Sequence, residues 1–228
     1  MTKKIVVVGT SRGIGKAIVD ILADNSAYEI LALGRNLGKM KSNFDKYSNV
    51  SCAALDLEAA DVRERCTEIF EKLNRIDILI NNAGLLVNKP FDQLTHHDLT
   101  SSYQVNVIGV METVQAALPK MIESHIVNIS TIGGFQGSVK FPGLTAYSTS
   151  KAALCSYTEL FAEEFKDTYI KMNCLCLGAA QTEMLEAAFP GYAAPVSAEK
   201  MAEYIADFAI NGQQWMNGKI IPVSLSTP

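Results

Sequence analysis

Short runs of β-branched and aliphatic residues alternate along this chain with longer stretches whose apolar positions recur every three to four residues. The short runs predict strands over 4–8, 28–33, 50–55, 76–80, 125–130, 170–175 and 219–223. The longer stretches predict helices over 13–23, 60–74, 99–122, 146–165 and 198–210. Two segments fit neither pattern. Residues 36–49 carry Gly38 among scattered polar residues and predict only a short helix, while 183–197 hold Pro190, Gly191 and Pro195 and predict a partly irregular lid.

Strand and helix in regular alternation specify βαβ units, and their right-handed crossovers wind a parallel sheet with helices on both faces. The expected fold is α/β, a Rossmann-like doubly wound sheet of about seven strands, read as a single domain over 1–228 with a ligand crevice at the strands' carboxyl ends. A 48% hydrophobic content over 228 residues suffices for one sizeable core. The net charge of -4, with basic residues dispersed, leaves no footprint for nucleic acid. The apolar run at 5–8 is too short for a signal sequence or a membrane span, so no membrane partner and a cytoplasmic location are expected. The five cysteines are odd in number and lack metal-ligand spacing; Cys174 and Cys176 alternate with Leu175 and Leu177 as core strand residues do. His96 and His97 have no carboxylate or cysteine at ligand spacing and suit the polar start of a helix, so no metal is expected.

Candidate chemistry begins where the first strand ends. In Gly9-Thr10-Ser11-Arg12-Gly13-Ile14-Gly15, positions without side chains let backbone approach a pyrophosphate at a helix N-terminus; the alternative is a tight turn with no ligand. NAD-binding proteins usually end their second strand on an acid that holds the ribose 2′-hydroxyl. Here that position is Gly34, followed by Arg35, and Arg12 lies inside the glycine turn. Two guanidinium groups there favour a 2′-phosphate, hence NADP(H) over NAD(H), unless both are merely solvated. Further on, Tyr147 and Lys151 stand at i and i+4 on one helix face, a spacing that lets the ammonium stabilise a phenolate and lower the phenol's pKa.

These segments resemble the short-chain dehydrogenases, and the resemblance spans nearly the whole chain. Residues 9–15 are similar to the family's T-G-x-x-x-G-I-G turn, with Val8 in place of its threonine. Asn81-Asn82-Ala83-Gly84 matches N-N-A-G, Asp56-Leu57 matches the adenine-contacting acid, and Tyr147 with Lys151 matches Y-x-x-x-K. Leu177-Gly178-Ala179-Ala180-Gln181-Thr182 resembles P-G-x-x-x-T, with leucine for proline.

The resemblance implies hydride transfer between NADP(H) and a ketone, aldehyde or secondary alcohol, with Tyr147 as proton donor and Lys151 also binding the nicotinamide ribose. It implies cofactor contacts at Gly9, Ser11, Arg12, Gly13, Ile14, Gly15, Arg35, Asp56, Leu57, Asn82, Ala83, Gly84, Gly178, Ala180 and Thr182. The family's serine falls by register on Thr131 in Asn128-Ile129-Ser130-Thr131, with Ser130 as the fallback. Asn106 matches the asparagine that holds a proton-relay water, or else is a buried asparagine satisfying a helix carbonyl. The interval from Thr131 to Tyr147 exceeds the family's usual one, so 133–142 must bulge.

Met184, Leu185, Phe189 and Tyr192 make the 183–197 lid mostly apolar, which suits an open site for a small-molecule carbonyl. The resemblance also implies a homo-oligomer through helices near 99–118 and 146–165; the position of Pro228 soon after the last strand favours a homodimer over a homotetramer. The rival is a catalytically weak NADP(H)-binding regulator of the same fold, for which Thr131, Leu177 and Val8 speak. Retention of Tyr147, Lys151 and Asn106 together favours the enzyme.

Overall fold

The computed structural model describes residues 2–225; Pro228, on which the preference for a dimer rested, lies outside them. Seven parallel strands run through the molecule: β1 (Lys3–Val8), β2 (Tyr28–Gly34), β3 (Val50–Ala54), β4 (Ile78–Asn81), β5 (Glu123–Thr131), β6 (Tyr169–Leu177) and, last in the chain, β9 (Ile220–Val223). Their order is β3-β2-β1-β4-β5-β6-β9, with a separate pair formed by β7 (Ala180–Gln181) and β8 (Val196–Ser197). The order reverses beside β1, so a crevice opens at the carboxyl ends of β1 and β4.

Both faces of this sheet are covered, which is why its strands read as continuous apolar runs. Ile5, Val7, Ile78, Ile80 and Val127 point to the face packed by α1 (Gly13–Ala23) and α8 (Ala198–Asn211). Val6, Val8, Leu79 and Ile126 point to the face packed by α3 (Val62–Phe70), α5 (Gly109–Ala117) and α6 (Thr145–Glu164). A short α2 (Leu37–Phe44) is capped by Asn36, whose side chain accepts from Lys39 N at 2.9 Å. Among the described residues, no helix is long and apolar enough to cross a membrane.

Three expectations need correction. The helix over 99–122 is really α4 (His96–Tyr103), a π turn (Gln104–Ile108), α5 and a 3-10 turn (Leu118–Lys120). Its start is set by a capping box between Thr95 and Asp98. The π turn brings Gly109 against Leu57, where a Cβ would stand 2.9 Å from the carbonyl oxygen; Pro119 closes the other end. The helix over 60–74 contracts to α3, and β5 and β6 each extend beyond their predicted limits. Within 183–197, α7 (Glu183–Ala188) forms on the cap of Thr182, leaving the remainder irregular as far as β8.

A buried polar chain fixes the strand ends that matter. Asn81 Nδ2 donates to Asn128 Oδ1 at 2.9 Å, Asn128 Nδ2 to Thr158 Oγ1 at 3.0 Å, and Thr158 Oγ1 to Leu154 O at 2.9 Å. It ties β4 and β5 to the middle of α6. Asn128→Ala would orphan the Asn81 amide and is expected to cost about 3 kcal/mol. Urea denaturation measures this; a loss below about 1 kcal/mol would show that the chain is dispensable.

Candidate active site

The glycine turn is built on contact between two backbones. Gly9 has φ +89, and a Cβ there would lie 2.6 Å from Ala83 Cα. A side chain at Gly15 would land on the Gly9 carbonyl and the Asn82 amide, which already meet through Asn82 Nδ2 donating to Gly9 O at 2.9 Å. Ile14 packs into the core beneath. No side chain caps α1, so the amides of its first turn are available to an anion. Across the turn, a Cβ on Gly13 would stand 3.4 Å from the methyl of Thr182, which brings the segment after β6 opposite it.

These residues fit a dinucleotide phosphate, since the positions where a Cβ would fill the cradle are glycines. Ser11 occupies the space beside the end of β2: a Cβ on Gly34 would lie 2.9 Å from Ser11 Oγ. Arg12 and Arg35 flank that contact, both exposed. Asp56 is exposed and accepts from Glu58 N at 3.1 Å, whereas Leu57 is buried. Thr182 Oγ1 caps α7 by accepting from Leu185 N at 3.2 Å. Ala180 is buried in β7, and Gly178 lies against Ser224.

At the other end, Tyr147 and Lys151 stand one turn apart in α6. The Thr131 hydroxyl, which accepts from Gly133 N at 3.4 Å, lies close enough to the phenol to act on it by hydrogen bonding, while Ser130 Oγ turns the opposite way and donates to Lys151 O at 2.9 Å. The strand's alternation separates them, and only Thr131 joins Tyr147. The expectation that Lys151 lowers the tyrosine pKa is overturned here. Burial pushes the phenol up to about 12, opposed by the Thr131 hydrogen bond, and Lys151 is not among the groups acting on it. The ammonium donates to Ile129 O at 2.7 Å, and its own pKa falls to about 8, chiefly through burial.

Asn106 is fully buried in the π turn. Its Nδ2 donates to Leu85 O and Ser150 Oγ, both at 2.9 Å, and its Oδ1 accepts from Leu85 N at 2.8 Å. Both amide protons are therefore committed to bracing the loop after β4 against α6. A Cβ on Gly84 would touch Asn106 Oδ1 and Lys151 Nζ, each at 3.4 Å, so glycine keeps that corner open.

The bulge after β5 folds on itself: Ser138 Oγ donates to Ile132 O and Phe135 O at 2.5 and 2.8 Å, and Val139 and Phe141 remain exposed. The sequence reading missed Ser150 and also Asn88, whose Nδ2 ties the lid through Ala188 O at 2.8 Å. Asn88 belongs to no motif and Ser150 fills an unspecified position of Y-x-x-x-K, so neither carries a spacing signal. A cleft of about 790 Å³ between α1 and α7 is lined by Gly13, Lys16, Thr182 and Glu186, but not by Tyr147. It borders the phosphate turn without reaching the phenol. His96 and His97 are exposed at the start of α4, as their polar setting implied.

Comparison with known proteins identifies the family. Residues 3–193 match the profile of the short chain dehydrogenase family. The 3-oxoacyl-acyl-carrier-protein reductase of Aquifex aeolicus is 32% identical over 187 residues, covering 78% of this chain and 74% of its own. Carbonyl reductase family member 4 of Xenopus tropicalis is 30% identical over 188 residues, covering 81% and 78%. The crystal structure of a short chain dehydrogenase from Burkholderia cenocepacia in complex with NADP superposes with a TM-score of 0.87 at 24% identity, covering 97% and 96%.

Burial of Lys151 sets a dependence of stability on pH. Its folded pKa, about 8, lies below the ordinary 10.5, so the folded chain bears the cost of a buried ammonium below pH 8 and sheds it between about 8 and 10.5. Lys151→Met is therefore expected to melt at a higher temperature than wild type at pH 7, with the advantage shrinking across that interval. An advantage independent of pH would refute this assignment.

Proposed function

The chain belongs to the short-chain dehydrogenase/reductase family, and from that premise we propose that it is an NADPH-dependent carbonyl reductase acting on a small ketone or aldehyde in the cytoplasm. The observation that carries this reading is the contact of the Thr131 hydroxyl with the Tyr147 phenol, one helical turn from Lys151. When bound, the nicotinamide supplies the hydride.

Thr131 holds the substrate oxygen by hydrogen bonding, and Tyr147 gives it the phenolic proton as charge develops there. A phenol whose pKa is raised to about 12 stays protonated at ordinary pH, ready to donate to an alkoxide, which is the stronger base. That state suits reduction. With the cofactor bound, Lys151 would contact the nicotinamide ribose and be the group that returns a proton to the phenol, while Asn106 holds the loop after β4 in place. Gly9, Ser11, Gly13, Ile14 and Gly15 would hold the pyrophosphate, Asp56 and Leu57 the adenine, and Asn82, Ala83, Gly84, Gly178, Ala180 and Thr182 the nicotinamide half.

Preference for NADPH follows from Arg12 and Arg35 beside a 2′-phosphate, with Ser11 in the space that an acid at Gly34 would need. Residues 183–197 act as the substrate lid. Exposed Tyr103, Ile108 and Leu160 on the α4–α6 side suit a second copy of the chain in a homodimer.

Tyr147→Phe is expected to lower kcat by at least about 100-fold with NADPH binding retained, measured as NADPH oxidation over a panel of ketones and aldehydes. Turnover within a few fold of wild type would sink the reading. Arg12→Ala with Arg35→Ala should raise KM for NADPH by more than about tenfold while leaving KM for NADH nearly unchanged. Equal effects on both cofactors would remove the case for NADP preference.

A further inference from the structure

Sequence spacing gives the cysteines no metal motif, yet the fold gathers three of them. Cys155 stands on α6, one turn beyond Lys151, and Cys174 and Cys176 share one face of β6. Their sulfurs all lie within 4.8 Å of one another. Cys155 Sγ is 3.5 Å from Cys176 Sγ, 3.9 Å from Cys174 Sγ and 3.5 Å from Ser130 Oγ. We propose that Cys155, Cys174, Cys176 and the hydroxyl of Ser130 form a zinc site between α6 and the β5–β6 pair.

The three distances from Cys155 suit tetrahedral coordination. Bonds of about 2.3 Å to sulfur and 2.1 Å to oxygen place sulfurs about 3.8 Å apart and oxygen about 3.6 Å from sulfur. Strand register seats Ser130 beside Cys176, so the fourth donor comes from the neighbouring strand. The serine is oriented for the part, because its proton is given to Lys151 O at 2.9 Å and its lone pairs face the cluster, where the Cys155 thiol already donates to one of them. Zinc replaces the three thiol protons, leaving a centre with one net negative charge. The buried Lys151 ammonium lies close enough to act on all three cysteines once they are thiolates and would supply the balancing charge that a buried ion needs. Phe135 and Ile220 pack against the sulfurs and keep the shell apolar.

The site borders the proposed reductase chemistry through Lys151 but is tested without it. Full-length protein, reduced and stripped of metal with a chelator, is titrated with Co²⁺ as a spectroscopic substitute for zinc. The expected result is one Co²⁺ per chain, with thiolate-to-cobalt charge transfer and tetrahedral d–d bands that one equivalent of zinc bleaches. Cys155→Ser preserves side-chain size and should remove about a third of the charge-transfer intensity and weaken zinc binding more than about tenfold. Ser130→Ala should keep the charge transfer and alter the d–d bands, and Cys52→Ser should change nothing. Absence of charge transfer in the reduced wild-type protein overturns the proposal, whether or not any variant folds. So does a spectrum that survives Cys155→Ser intact or is lost with Cys52→Ser.

Discussion

Much of this molecule is organised by the distance between two stretches of backbone. The end of β1 and the loop after β4 approach so closely that Gly9 has no room for a side-chain carbon against Ala83, and Gly15 has none against Gly9. Asn82 closes the contact with a hydrogen bond to the Gly9 carbonyl. Close approach here pulls the first turn of α1 to the carboxyl edge of the sheet, where its uncapped amides lie beside the crevice. It also brings Gly84 to the corner shared by Asn106 and Lys151, so the phosphate turn and the phenol end of the site share one rigid frame.

The same frame holds charge where charge is costly. Lys151 is almost wholly buried, and its neighbours are a carbonyl and three thiols instead of a carboxylate. A lysine so placed lowers the stability of the folded chain at neutral pH, and the surrounding core must offset that cost. Tyr147 responds to the same burial in the opposite direction, since desolvation disfavours phenolate as it disfavours ammonium. One apolar environment thus keeps the acid protonated and brings the amine's pKa closer to neutrality.

The departures from the family pattern have local structural answers. Thr131 in place of the family's serine keeps a hydroxyl on the phenol. The longer interval before Tyr147 is absorbed by a loop that bonds to its own carbonyls and leaves Thr131 and Tyr147 in contact. At Leu177, the missing proline leaves β6 paired to its end with β5 and β9, so the chain still leaves the sheet at Gly178.

The number of strands in the main sheet and the position of the crevice were legible in the sequence, because a sheet buried on both faces requires unbroken runs such as Ile5–Val8 and a glycine-rich turn suits a place where backbones meet. The pairing of Tyr147 with Lys151 was legible too, since helical spacing alone puts them on one face. Other features were decided by contacts distant in sequence. The π turn at Gln104–Ile108 accompanies the packing of Gly109 on Leu57, which no local propensity encodes. The separation of Thr131 from Ser130 depends on which face of β5 meets α6, and the direction of the tyrosine's pKa shift depends on burial. The cysteine cluster required α6 to lie across β6, joining Cys155 to residues 174 and 176. Periodicity and motif report what neighbours along the chain can do, whereas desolvation and convergence of side chains belong to surfaces that exist only once the chain has folded.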